Sequence, residues 1–120
     1  MFDSDFYATV LPDLIKSECA AEPGSVPVVE LRLSDGTTLD VCHILALGPG
    51  WLAAACYSSD GPPAALTTEF VRHELVMRIT VSMQGAPARH QLGFDVSRNS
   101  AARRIGPNAG PAPKRKRTGL

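Results

Sequence analysis

No stretch of this 120-residue chain comes near the ~20 consecutive apolar residues that a membrane-spanning helix requires, which excludes a helical membrane protein. The N-terminus, MFDSDFYATV, is acidic rather than basic, so no secretory leader is expected and a cytoplasmic location follows. Cysteine is scarce: Cys19, Cys42 and Cys56 contain no Cys-x-x-Cys pair, build no disulfide framework and fit a reducing compartment. Zinc needs three or four converging ligands. Of the tempting set Cys42, His43, Cys56 and His73, a three-residue turn at 48–50 places Cys42 opposite Cys56 and turns His43 the other way. Buried free cysteines serving as small apolar side chains are therefore the expectation, with no metal and no cofactor. Nor do His43, His73, His90 and the hydroxyl residues form a nucleophile–base pattern. The paired carboxylates Asp3/Asp5 and Glu69/Glu74 sit in exposed settings, so an enzyme is not expected. Finally, acid is missing from the end of the chain. Residues 1–97 hold all twelve acids and five Lys/Arg, net −7, whereas residues 98–120 hold seven Lys/Arg and no acid, net +7. A formal charge of zero thus hides an acidic body and a basic tail, which bears on partners rather than on fold.

What is present suffices for one packed domain. The apolar fraction is 44%, and ten Pro and ten Gly spread along the chain imply short elements and many turns. The stretch Val26 to Tyr57 organises the rest as three strands. Over Val28 to Leu33, Val29, Leu31 and Leu33 alternate with Glu30 and Arg32, the period-two pattern of a half-buried strand. Ser34-Asp35-Gly36 follows, and Asp-Gly between two alternating runs signals a hairpin. Thr38 to Leu47 places Leu39, Val41, His43, Leu45 and Leu47 on one side, and Thr38, Asp40, Cys42, Ile44 and Ala46 on the other. Gly48-Pro49-Gly50 forces a turn. Trp51 to Tyr57 is apolar on both faces, which requires cover on both sides or an interface.

Residues 3–20 read as helix, capped by Asp3, Ser4 or Asp5. Phe6, Val10 and Leu14 give an apolar stripe that Leu11 and Ile15 widen. Pro12 either kinks this helix or opens a second one at its first position. Residues 20–27 (AAEPGSVP) form a linker. Beyond the third strand, residues 58–63 are loop, Thr67 to Val71 is strand-like, Arg72-His73-Glu74 is a short turn, and Val76 to Met83 is a further strand. After a turn at 84–87, Arg89 to Val96 is a candidate sixth strand. From residue 98 the chain is rich in Pro, Gly, Ala and base, and a disordered basic tail is expected.

A helix followed by five short bent strands, the last two parted by a one-turn break, resembles the Sm-like barrel family, and within it the bacterial Hfq-type RNA chaperones. The resemblance spans about residues 6–83. It rests on Val26-Pro27-Val28, on the strand–Asp-Gly–strand after it, and on VRHELVMRITV, where Val71-Arg72-His73 occupies the place of the family's Tyr-Lys-His. Other positions depart from the family pattern. Val41 stands where those proteins bend at glycine, Gly50 stands where a glutamine precedes the aromatic, and the helix carries only Lys16 as base.

The expected fold is therefore mostly β. It is a small Sm-like or SH3-like bent barrel of five or six antiparallel strands, with an N-terminal helix, in one domain over residues 1–97. The resemblance implies a ring-forming homo-oligomer that binds single-stranded RNA. Arg72 and His73 would line its pore, with Trp51 near the aromatic of the same face. The run Lys114, Arg115, Lys116 and Arg117 adds phosphate-backbone affinity without reading sequence. The alternative is a protein-interaction module whose basic tail is autoregulatory, since such barrels also bind peptides by edge-strand addition.

Overall fold

The computed structural model describes residues 1–58, 65–85, 93–99 and 103–105. The helical lead-in begins where Asp3 accepts the Phe6 N–H on its carboxylate (2.9 Å). It runs as a π-helical turn, Phe6–Val10, straight into helix α1, Leu11–Ala21. Pro12 falls in the first turn of α1, close to the second of the two expected arrangements, although the backbone at Val10 and Leu11 stays helical across the junction. The Leu11 N–H reaches back five residues to the Phe6 carbonyl, and this widened turn absorbs a residue that has no N–H to give. The stripe that packs on the sheet is Tyr7, Leu11 and Ile15, whereas Val10 and Leu14 stay about half exposed. This corrects the expected Phe6–Val10–Leu14 face. Tyr7, Leu11 and Ile15 are flanked by Ala8, Pro12 and Cys19, while the other stripe borders Thr9, Asp13 and Ser17. The broad apolar arc is therefore centred one residue further along.

Five antiparallel strands follow: β1 (Ser25–Leu33), β2 (Thr38–Leu47), β3 (Trp51–Tyr57), β4 (Leu66–Arg72) and β5 (Val76–Gly85). A 3₁₀ turn, His73–Leu75, separates the last two. Their spatial order is β4-β3-β2-β1-β5, so β4 and β5 are the outer strands and the sheet is bent but not closed into a barrel. The β1–β2 turn takes the expected form. Gly36 adopts φ 91° and donates to the Leu33 carbonyl, and the Asp35 carboxylate accepts the Thr37 N–H. That hydrogen bond holds the Asp35 carboxyl below the usual range.

β2 departs from simple alternation. Its pairing with β3 shifts between Val41 and His43 and again between Ile44 and Ala46. Each shift changes which side chains face inward. Val41, Ile44 and Leu47 enter the core, and Leu45 does not. The bulges also overturn the expected Cys42–Cys56 juxtaposition: Val41 opposes Cys56, whose thiol faces the core and is pushed up to about 12 by burial. Cys42 lies outside that core group and touches the Tyr57 hydroxyl instead. All three cysteines are free. As expected of a strand without a polar face, Leu52 to Cys56 are buried throughout.

The β1–β2 ladder covers only residues 29–32 and 38–41. Beyond it the two strands part, β1 continuing along β5 and β2 along β3. Pro27 supplies a reason, because it has no N–H to offer β2. Residues 93–99 and 103–105 enter this fork; of the candidate sixth strand Arg89 to Val96, residues 89–92 lie outside the described residues, and 93–95 are not in a strand. Phe94 and Asp95 donate their N–H groups to the carbonyls of Pro27 and Cys42. A helical turn α2 (Val96–Asn99) follows, and a two-residue strand β6 (Arg103–Arg104) runs parallel to Ala46 and Leu47 of β2. Described structure therefore continues past residue 97, up to Ile105, whose N–H is held by the Leu47 carbonyl.

Candidate nucleic-acid interface

Trp51 opposes Arg72 across the β3–β4 ladder, and Ala53 opposes Phe70. By the two-residue period these four share the face turned away from Leu52 and Val71, which point into the core. The face is small and apolar beneath (Ala53 and Ala55, both buried) and aromatic on top. The rings of Trp51 and Phe70 lie 6.1 Å apart at 48°, and Phe70 is 73% exposed. Trp51 is also seated over the turn, where a side chain on Gly48 would collide with its indole. Arg72 is exposed beside this pair and reaches Glu74 at 3.0 Å. An exposed pair of this kind holds weakly, so the guanidinium is available to another anion. An aromatic pair beside an exposed guanidinium can stack a flat ring and hold a phosphate.

The sequence pointed to Trp51 and Arg72, and the sheet register brings them together. It missed Phe70, whose outward direction depends on which face of β4 is covered. His73, by contrast, leaves this surface. It follows Arg72 directly and turns inward at the head of the 3₁₀ turn, only 1% exposed. Its ring stacks on Tyr7 (5.4 Å, 21°), its Nε2 lies 3.2 Å from Ser4 Oγ, and its backbone N–H donates to the Gly50 carbonyl. Since Ser4 Oγ gives its own proton to the Gly48 carbonyl (2.6 Å), Nε2 is the donor in the Ser4–His73 pair. Burial depresses the His73 pKa. The pore-lining role that the resemblance implies for His73 requires an exposed ring; here the ring instead fastens the N-terminal helix to the β3–β4 end of the sheet.

Lys114, Arg115, Lys116 and Arg117 lie outside the described residues. Among the described residues, no group of His, Cys, Asp and Glu is placed to hold a metal ion, and no helix is long and apolar enough to cross a membrane. Compared with known protein families, with curated proteins and with solved structures, this chain finds no match.

Proposed function

We propose that this chain is a non-enzymatic, Sm-like RNA-binding protein. In this reading it holds single-stranded RNA by stacking bases on Trp51 and Phe70, while Arg72 and the run Lys114–Arg117 hold phosphates. The observation that carries the proposal is the Trp51–Phe70 pair, set out on the sheet with Arg72 in register beside it. Support for the Sm-like part comes from the element order, a helix and then five bent strands with a one-turn break before the last. The outer strands β4 and β5, with exposed Met77 on β5, would supply contacts for a homo-oligomer.

The test is binding of a labelled uridine-rich single strand to the full chain and to its Phe70→Ala and Trp51→Ala variants. Each lost stack is expected to weaken binding by roughly tenfold, at the lower end of the 1–3 kcal/mol typical per base. A monomer that binds no RNA at low salt would end this reading. It would leave the protein-interaction module, which the same open strand edges favour.

A further inference from the structure

The fork between β1 and β2 holds a segment of the chain as a groove holds a peptide. Two consecutive N–H groups reach opposite walls: Phe94 donates to Pro27 of β1 at 2.8 Å, and Asp95 donates to Cys42 of β2 at 2.6 Å. The Tyr57 hydroxyl donates to the Gly93 carbonyl at 2.6 Å. A Cβ on Gly93 would stand 2.1 Å from Val26 Cγ1 and 2.7 Å from the Pro27 carbonyl oxygen, so the groove accepts only glycine there. Phe94, 5% exposed, enters the core group, while Val96 packs at its margin. Asp95 folds back to accept from Ser97 and Arg98, which closes the motif with a tight turn. The groove itself selects the glycine and the phenylalanine, the aspartate closes the segment's own turn, and the backbone bonds select an extended shape.

We infer that this fork is a peptide-recognition groove for an extended Gly-Phe-Asp segment of a partner protein, and that the chain's own Gly93–Asp95 occupies it as an autoinhibitory plug. The occupant is argued from the segment seated there, and the inference is independent of RNA binding. Beyond Phe94 and the three hydrogen bonds above, the plug is followed only by a four-residue helical turn and a two-residue strand, whereas β1 and β5 pair over nine positions. Local release without loss of the sheet is therefore built in. Residues 86–92 tether the plug, and a link so short gives it an effective concentration in the millimolar range, against which a free peptide must compete.

The experiment uses the full chain and a fluorescent hexapeptide of the sequence Gly93 to Arg98. The wild-type chain should take the peptide only at high concentration. Gly93→Ala, whose Cβ would collide with Val26 and Pro27 and expel the plug while leaving the groove walls intact, should tighten peptide binding at least tenfold. Phe94→Ala should tighten it too, and a peptide with alanine for its glycine should not bind. Amide exchange on the wild-type chain provides a readout that needs no variant to fold: Phe94 and Asp95 should exchange by local opening while Val29 and Leu31 stay protected. The inference is overturned if Phe94 and Asp95 are as protected as the β1–β5 ladder, for the segment is then an inseparable part of the core. Equal peptide affinity of the wild-type and Gly93→Ala chains overturns it too.

Discussion

Arg72 and His73 are chain neighbours with opposite surroundings, one side chain in solvent and the other against Tyr7. The difference gives stability a pH dependence whose sign is fixed by burial. His73 is more reluctant to protonate when folded than at its ordinary value of 6.5, mainly through desolvation, with Asp3 and the Gly48 carbonyl opposing. His43, nearly buried on β2, behaves alike through desolvation and the nearby Arg98, with Asp95 opposing. The unfolded chain therefore binds protons that the folded chain refuses. The stability that both rings contribute is complete above about pH 6.5 and is lost as pH falls through that value towards the lower folded pKa. Thermal unfolding from pH 8 to 5 should show the midpoint falling below pH 6.5. His73→Phe, which keeps a ring against Tyr7, should flatten the fall and leave the share owed to His43. An unchanged slope would mean that His73 is not neutral and buried when folded.

Whole elements show where the sequence sufficed. Period-two runs between Asp-Gly and Gly-Pro-Gly placed β1, β2 and β3, because alternation and turn chemistry are local properties. The short turn at 72–74 was legible for the same reason, and the structure has a 3₁₀ turn over His73–Leu75. Side-chain directions after Val41 were not legible, since a bulge is set by the partner strand and leaves no mark in the sequence. The plug at 93–95 was hidden too: its partners Val26, Pro27, Cys42 and Tyr57 are remote in sequence, and these residues close a run from Arg89 to Val96 that reads as a strand. In the candidate site, Trp51 and Arg72 were legible through the resemblance, while Phe70 needed the register. For the helix, two adjacent apolar stripes were available and only packing chose between them. That choice can be measured. Leu11→Ala and Ile15→Ala, at nearly fully buried positions, should each cost about 2–5 kcal/mol by chemical denaturation. Leu14→Ser and Val10→Ser should stay within about 0.5 kcal/mol, as surface changes do. A large loss from Leu14→Ser would mean that this stripe is covered in solution, as in a homo-oligomer.

At the scale of the molecule, charge and shape pull in different directions. The acidic body, −7 over residues 1–97, repels a polyanion, and Glu74 is paired with Arg72 beside the aromatic pair. Base stacking on Trp51 and Phe70 is largely indifferent to salt, whereas phosphate contacts release counterions and are not. The two contributions can therefore be separated by ionic strength within one chain. Truncation at residue 97 would cut between the plug and β6, so the tail is better neutralised in place, with Lys114, Arg115, Lys116 and Arg117 all changed to Gln. If the four bases each meet a phosphate of a single strand, the slope of log affinity against log salt should become shallower by about 3, from roughly 0.7 per contact. The advantage of the natural tail should then shrink about 50-fold between 50 and 200 mM salt. An unchanged slope would place those four bases elsewhere, and the acidic body is the one polyanion always within their reach. In that event the remaining affinity belongs to the sheet, and Phe70→Ala in the neutralised chain should weaken it by the same factor of about ten as in the natural chain.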